Sequence, residues 1–245
     1  MKRNFKLILE YDGTLYHGWQ RQPHDLTIQE VVEDALEKIT RTKCIVYGAG
    51  RTDSGVHALN YVANFWCDTH LEAGIFVKAL NSTLPNDIVC KECTLAPESF
   101  HARKSASSKI YEYHITNGPT PPAVCRHYAW YVRRKLDQDA MRQAAELLVG
   151  THDFSAFEGA GSPKATSVRT ITQSQLQVWE NHLIYRVEGN GFLRYMVRNI
   201  VGTLVYIGMG KIPPLAMQTI LESGDRSQAG PTAPPIGLFM MLVKY

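Results

Sequence analysis

The sequence predicts an α+β protein made of two ferredoxin-like (βαββαβ) halves, which share a mainly antiparallel central sheet with helices packed on it. Three observations predict it: short strands of alternating polarity, amphipathic helices between them, and a second half that repeats the order of the first. The 245 residues, 44% hydrophobic and 20% charged, suffice for a large core. We place the halves at 1–104 and 105–245, with the site in the groove between them.

The first half is predicted to contain four strands and two helices. Residues 5–11 alternate apolar and polar side chains, which predicts a strand. Thr27 followed by Glu30 is a capping box, and apolar residues then recur at helical spacing as far as Ile39. The other elements predicted here are strands at 45–47, 61–66 and 88–95 and a helix around 74–80.

The second half is predicted to repeat the scheme with insertions. Alternation over 108–116 predicts a strand, and the apolar spacing over 137–149 predicts a helix. The remaining elements are a hairpin of strands 170–179 and 182–188, a long helix from about Leu193, and a closing strand at 237–243.

Charge is distributed unevenly along the chain. The formal net charge is +3, but residues 1–98 hold 10 Lys and Arg against 13 Asp and Glu, whereas residues 99–245 hold 16 against 10. Between 99 and 136 the only acid is Glu112, and aromatic residues are interleaved with the cations. This pattern suits a polyanionic partner; a solvated basic face beside core aromatics is the alternative.

Composition disfavours membrane and secreted proteins. No apolar run approaches the roughly 20 residues needed to span a bilayer. Glu10 and Asp12 interrupt the apolar stretch near the N-terminus, so we expect a strand there and no secretory signal. Five cysteines, an odd number, do not favour a disulfide framework, and we expect a cytoplasmic protein.

The spacing of the glycines and of the cysteines does not favour a nucleotide cofactor or a metal site. No G-x-G segment completes a dinucleotide fingerprint, and there is no Walker A sequence. Cys67, His70, Cys90 and Cys93 have a ligand count that suits zinc. We expect packing cysteines and no metal, because Cys90 and Cys93, three apart on a strand, would point to opposite faces.

One glycine-rich loop holds a candidate catalytic group. In GAGRTDSGVHA, 48–58, Gly50 and Gly55 flank Asp53, which lets the backbone approach a ligand and exposes the carboxylate. The composition of this loop fits a plain turn as well as a nucleophile. Arg198, at the edge of the apolar stripe of the long helix, needs a carboxylate or phosphate partner unless it reaches water along its stem.

That loop and other segments resemble the tRNA pseudouridine synthase A family. GRTDSGVHA at 50–58 is similar to the family signature, and the resemblance covers nearly the whole chain in family order. The other similar segments are YDGTLYHGWQRQP, TIQEVVEDAL, SFHARKSASSKIYEY, HDFSAFEG, MVRNIVG and PTAPPIGL. The resemblance implies two ferredoxin-like halves, a homodimer, no cofactor, and isomerisation of uridine to pseudouridine at positions 38 to 40 in the anticodon arm of tRNA.

The resemblance also implies roles for individual residues. Asp53 would be the nucleophile, Arg198 would pair with it and keep the carboxylate ionised, and Tyr111 would stack on the target base. Arg51 would fill the space left by the flipped nucleotide or hold its phosphate, and Leu238 would pack near the base. The residues expected to grip the RNA backbone are Phe100, His101, Ala102, Arg103, Lys104, Lys164 and Arg169.

Two other functions share parts of this pattern. A non-catalytic RNA-binding relative or tRNA chaperone would keep the basic surface but lose Asp53, Tyr111 or Arg198, and all three are present. A metal-dependent nuclease would need clustered carboxylates, and no residue within ten positions of Asp53 is acidic. The sequence leaves open which tRNAs are modified, and whether the carboxylate attacks C6 of the base or C1′ of the ribose.

Overall fold

The computed structural model describes residues 2–161 and 166–245 as a mixed α/β protein with mostly antiparallel strands. It divides into two units, the first comprising Met1–Ser107 with Phe239–Tyr245 and the second Ser108–Leu238. Five α-helices lie in the described residues: α1 (Ile28–Thr40), α2 (Ala73–Thr83), α3 (Gln138–Glu146), α4 (Met196–Gly208) and α5 (Ala216–Ser223). The strands are β1 (Arg3–Tyr11), β2 (Val46–Gly48), β3 (His57–Cys67), β4 (Ile88–Ala96), β5 (Ser108–Asn117), β6 (Trp130–Val132), β7 (Gly150–Asp153), β8 (Val168–Trp179), β9 (His182–Gly189) and β10 (Leu238–Lys244).

All the predicted helices and strands are present, with shifts at their ends. The long helix begins at Met196 and not at Leu193, because Tyr195 adopts a left-handed φ of 61° at the N-cap. The helix predicted over 137–149 ends at Glu146, and the chain then enters β7 through Gly150. Strands β6 and β7 and helix α5 were not predicted, since three or four residues are too few for an alternating pattern and α5 has only eight.

The first unit is built around β1, which pairs antiparallel with β3 on one side and β4 on the other. Strand β2 pairs antiparallel with β3, and β10 pairs in parallel with the start of β3. On one face of this sheet Phe5 and Phe65 contact Phe76 of α2, with ring centroids 4.9 and 5.4 Å apart. The Thr27 hydroxyl accepts the Glu30 N–H at 3.4 Å and caps α1 as predicted.

Two buried asparagines fix the segment that follows β4 on this sheet. The Asn4 amide group donates to the carbonyls of Pro97 and Phe100, both at 2.9 Å. Asn64, which is 0% exposed, donates to Asn4 Oδ1 at 3.0 Å and accepts the Ala102 N–H at 2.8 Å. Backbone groups of Pro97, Phe100 and Ala102 therefore find partners on the sheet without being part of a strand.

The expectation that Cys90 and Cys93 face opposite sides of their strand is wrong. Ile8 pairs with Glu92 and Leu9 with Cys90, so the extra residue Lys91 forms a β-bulge in β4. Both cysteines are buried, and burial raises the pKa of each thiol to about 12. The thiols therefore stay protonated and pack as small apolar side chains. No cluster of three potential metal ligands occurs among the described residues.

The second unit has its own antiparallel strands, in the order β5-β9-β8-β7, with β6 parallel to the end of β5. Strands β8 and β9 form the predicted hairpin, whose turn contains Glu180 at a φ of 53°. Helix α3 packs against α4 and against β8. Over the described part of the chain, no helix combines the length and apolar character that crossing a membrane requires.

We predict that Asn64→Ala lowers the free energy of unfolding by at least about 2 kcal/mol, because it leaves the Ala102 N–H and Asn4 Oδ1 buried without their partner. Urea unfolding followed by circular dichroism measures this change. Asn86→Ala, at an exposed turn position, is the control and should shift stability by less than about 0.5 kcal/mol. Equal stability of the two variants would show that the Asn4–Asn64 pair does not hold the 97–102 segment.

Candidate active site

The loop that carries Asp53 is fixed by the chain that follows β1. The N–H of Trp19 donates to the Thr52 carbonyl at 3.2 Å, and the N–H of Gly55 donates to the Tyr16 carbonyl at 3.2 Å. Within the loop the Val56 N–H donates to the Asp53 carbonyl, also at 3.2 Å. The backbone on both sides of Asp53 is therefore bonded to the 16–19 segment.

Two glycines permit this contact. An added Cβ on Gly18 would lie 2.3 Å from the Thr52 carbonyl oxygen, and one on Gly13 would lie 2.0 Å from that of Val56. Gly18 also has a φ of 84°, which other residues rarely adopt. The YDGTLYHGWQ segment thus contains glycine where its backbone packs directly against the aspartate loop.

Buried aromatic side chains support the loop from below. Trp19 and Tyr61 stack with ring centroids 4.1 Å apart, and Tyr11 lies 5.5 Å from Tyr61. The Tyr11 hydroxyl is hydrogen-bonded to Thr52 Oγ1 at 2.9 Å, and the Tyr61 hydroxyl donates to the Gly50 carbonyl. All three rings are at most 3% exposed, so these bonds are shielded from water.

The side chains of the loop differ in exposure. Thr52 is 7% exposed and is held by Tyr11, whereas Arg51 is exposed and Asp53 is half-buried. Because the Thr52 side chain is anchored inward and the loop backbone is hydrogen-bonded, the backbone that carries the Asp53 carboxylate has little conformational freedom. A carboxylate held in this way can act as a nucleophile or as a base.

His57, at the end of the same loop, was not singled out from the sequence. It is 1% exposed, and its ring stacks on Phe239 with centroids 4.7 Å apart. Asp12 Oδ1 lies 3.0 Å from His57 Nδ1, and the Gly13 N–H points to the same nitrogen at 3.1 Å. His57 therefore joins the loop, the segment after β1 and strand β10 in the first unit.

Arg198 lies in the first turn of α4 in the second unit. Its Nε donates to the Ala233 carbonyl at 2.8 Å, and the Ala233 N–H donates back to the Arg198 carbonyl at 3.0 Å. The guanidinium carbon is 5.0 Å from the centre of the Tyr195 ring. These contacts fix the guanidinium on the helix and also fasten the 231–237 segment to it.

A buried polar network around Asn199 holds that segment further, and sequence reasoning missed it. Asn199 is 0% exposed; it donates to the Phe157 carbonyl at 2.7 Å and accepts from Thr232 Oγ1 at 2.6 Å and Arg226 Nη2 at 3.1 Å. Arg226 Nη1 also donates to the Gly230 carbonyl at 2.9 Å. The only sequence signal was a polar residue, Asn199, inside the apolar stripe of α4.

Tyr111 and Leu238 are both buried. Tyr111 on β5 is 7% exposed, and its ring meets the edge of Phe192 with centroids 5.0 Å apart. Leu238 is 5% exposed and follows the single 3-10 turn Pro235–Gly237 at the start of β10. The 231–237 segment that Arg198 and Asn199 hold therefore leads directly into Leu238.

The residues predicted to bind the RNA backbone differ in exposure. Arg103 and Lys104 are exposed, while Ala102 is fully buried, with its N–H bonded to Asn64 and its carbonyl accepting the Tyr245 hydroxyl at 2.8 Å. Phe100 and His101 are half-buried. The Arg169 guanidinium donates to the carbonyls of Thr166 and Val168, at 2.9 and 2.6 Å, and Lys164 lies outside the described residues.

Comparison with known proteins points to one family. Residues 7–103 and 144–245 match the sequence profile described as tRNA pseudouridine synthase. Proteins named tRNA pseudouridine synthase A from Thermoanaerobacter sp. (strain X514) and Acetivibrio thermocellus are 46% and 47% identical to this chain over 243 residues. A protein named tRNA pseudouridine synthase A 2 from Clostridium perfringens is 45% identical over 243 residues. In each case the alignment covers 99% of this chain and 100% of the relative.

Among solved structures, a chain from the crystal structure of a Cbf5-Nop10-Gar1 complex superposes with a TM-score of 0.40 at 13% identity. The superposition covers 96% of this chain and 48% of that chain.

We predict that Arg226→Met weakens the attachment of the 229–233 segment to α4, because Asn199 Oδ1 loses one of its two donors and the Gly230 carbonyl loses the guanidinium. The backbone amides of Gly230 and Ala233 should exchange with solvent faster, and the free energy of unfolding should fall by about 1–3 kcal/mol. Hydrogen exchange and urea unfolding measure the two effects. Arg142→Met removes a half-buried arginine that pairs with Asp139 within α3 and is the control; unchanged exchange in Arg226→Met would contradict the role given to this network.

Proposed function

The chain belongs to the tRNA pseudouridine synthase family, and we propose that it isomerises uridine to pseudouridine at positions 38, 39 and 40 in the anticodon stem-loop of tRNA. Its relatives form pseudouridine in tRNA, so the chain is a pseudouridine-forming isomerase. The observation that carries the proposal is the loop at 50–56, where Thr52 is anchored inward and the Asp53 carboxylate is presented on a fixed backbone.

We assign the nucleophile to Asp53. In the reaction the bond from ribose C1′ to N1 of the base breaks, a bond from C1′ to C5 forms, and the proton on C5 leaves as N1 gains one. No electrons are gained or lost overall, so the reaction needs no redox partner. A carboxylate serves by adding either to C6 of the base or to C1′ of the ribose, and in both cases it is released unchanged.

Arg198 and Tyr111 act with Asp53 in this proposal. A guanidinium paired with the Asp53 carboxylate keeps it ionised, because an opposite charge favours the charged form. The contacts of Arg198 with Ala233 and Tyr195 support this role, since they restrict where the guanidinium can go. Tyr111 stacks on the target base and takes part in proton transfer.

The base must leave the helical stack to reach a carboxylate on the protein. We assign Arg51, which is exposed beside Asp53, to the space or the phosphate left by the flipped nucleotide. Leu238 packs near the base. The RNA backbone is held by Arg103 and Lys104, together with Phe100, His101, Lys164 and Arg169. The prediction that Ala102 also contacts RNA is wrong, because this residue is buried and both of its backbone groups are hydrogen-bonded within the protein.

We also propose that the chain consists of two ferredoxin-like halves, 1–104 and 105–245, of which the second contributes its closing strand β10 to the first unit, where it pairs with β3. The order β4-β1-β3-β2 in the first unit, with every neighbour antiparallel, is the order that a βαββαβ half requires and supports this view for that half. The chain is proposed to act as a homodimer, since a tRNA is longer than a single chain of this size and a second protomer offers it further surface.

The experiment that tests the function is incubation of the protein with unmodified tRNA transcripts, followed by carbodiimide treatment and primer extension to map pseudouridine. We predict modification of uridines at positions 38, 39 and 40 only. Transcripts in which these uridines are replaced by cytidine are the control and should stay unmodified. If pseudouridine forms only at other positions, the chain is a pseudouridine synthase but the assignment to the anticodon stem-loop is wrong. If no pseudouridine forms, the proposed function is wrong.

We predict that Asp53→Asn lowers the rate of pseudouridine formation by at least about three orders of magnitude, because the amide keeps the shape of the side chain but is not a nucleophile. The Kd for tRNA should change by less than about threefold. Asp34→Asn, at an exposed position of α1, is the matched control and should turn over at the wild-type rate. Turnover by Asp53→Asn above a trace would reject Asp53 as the nucleophile.

A further inference from the structure

An exposed aromatic side chain lies on the sheet of the first unit, close in sequence to the Asp53 loop. Tyr47 is the central residue of β2 and pairs across the sheet with Asn64, which in turn pairs with Lys6. Tyr47 thus shares a face with Asn64, the residue that anchors the 97–102 segment. Asp53 follows Tyr47 by six positions, a distance of at most about 22 Å along the chain.

Tyr47 is exposed yet held in place by two other rings. It is 38% exposed. Its ring meets the edge of Trp66 with centroids 5.5 Å apart and an interplanar angle of 81°, and it lies 5.2 Å from the ring of His101. We name Tyr47, Trp66 and His101 the aromatic platform. A ring with neighbours on two sides loses little conformational freedom when a further ring packs on it.

The charged residues that follow His101 along the chain are positive. Arg103 and Lys104 are exposed, and residues 99–109 contain no acid. The pKa of His101 is lowered first by burial and then by Lys104 and Arg103, so both cations act on the ring that touches Tyr47. His101 Nδ1 accepts the Arg103 N–H at 3.1 Å, and the neutral imidazole therefore serves as a further flat ring.

This combination matches the chemistry of single-stranded RNA. An unpaired base stacks on an aromatic ring whatever its sequence, and the phosphates on either side pair with Lys and Arg. An apolar protein partner would use the exposed ring but not the two cations, and a phosphate alone would use the cations but not the ring.

We propose that the aromatic platform binds one unpaired base of the tRNA, apart from the target uridine, with Arg103 and Lys104 on the adjoining phosphates. The proposal rests on the proposed function, because it takes RNA as the substrate. The platform gives the RNA a second fixed point on the unit that carries Asp53. It is a binding surface and takes no part in the bond changes.

The test measures the Kd for an unmodified tRNA transcript over a series of KCl concentrations, in the Asp53→Asn background so that no product forms. Tyr47→Leu should weaken binding roughly 5- to 150-fold, the range for loss of one base–aromatic stack, with the salt dependence unchanged. Tyr47→Phe keeps the ring and should stay within about threefold of the parent. Replacing Arg103 and Lys104 by Gln should instead reduce the slope of log affinity against log salt by about 0.7–0.9 for each contact.

A matched control separates stacking from a general effect of losing an exposed ring. Trp179→Leu removes an aromatic residue that is 80% exposed at the tip of the β8–β9 hairpin, beside Gln177 and His182, and should leave the Kd unchanged. Circular dichroism and sedimentation of each variant report its folding and association state. A change of association state in Tyr47→Leu would mean that the platform is a protein interface and would overturn the proposal.

Single abasic nucleotides, placed in turn along the anticodon stem-loop, identify the stacked base. The abasic substitution at that base should weaken binding to the Tyr47 parent but not to Tyr47→Leu, because the two changes remove the same contact. Equal affinity of Tyr47→Leu and the parent, or additive losses at every abasic position, would overturn the platform. Formation of pseudouridine in tRNA by the wild-type chain tests the proposed function separately, so the proposed function can hold even if the platform proposal is wrong.

Discussion

The first unit depends on one constraint, the direct packing of the backbone after β1 against the loop that carries Asp53. Gly18 and Gly13 leave no room for a side chain between the two segments, and backbone hydrogen bonds at Trp19 and Gly55 join them. Because a buried backbone polar group without a partner is costly, these bonds also fix the register of the two segments. The Tyr11–Thr52 hydrogen bond extends the same constraint to the core beneath the loop.

In the second unit, an irregular segment is held mainly by side-chain hydrogen bonds. The 229–237 segment contains three prolines among its nine residues and cannot be held by a regular ladder of backbone hydrogen bonds. Asn199, Arg226 and Thr232 bond to it and to each other, and Arg198 exchanges two hydrogen bonds with Ala233. A polar network of this kind specifies one conformation only when its members are satisfied, which explains why so many polar groups converge on one turn of α4.

On the sheet of the first unit, one pair of buried asparagines affects both the packing of a loop and the position of its charged residues. The Asn4–Asn64 pair holds the backbone of the 97–102 segment by hydrogen bonds. The backbone of Arg103 and Lys104, which follow directly, is therefore held near a fixed position. Fixed cations lose less conformational entropy on binding a phosphate than cations on a mobile loop. The same pair therefore contributes both to the stability of the unit and to the position of its exposed cations.

The strands and helices with strong periodicity, the Thr27 cap and the glycine-flanked aspartate could be predicted from the sequence, because these features depend on neighbours along the chain. The resemblance of GRTDSGVHA and MVRNIVG to known segments added the family. Three features became visible only in the folded protein: Cys90 and Cys93 share a face, Ala102 is buried, and Asn199 and Arg226 lie in one network. The bulge at Lys91 depends on the register with β1, and the network joins residues 27 positions apart, so neither leaves a periodic signal in the sequence.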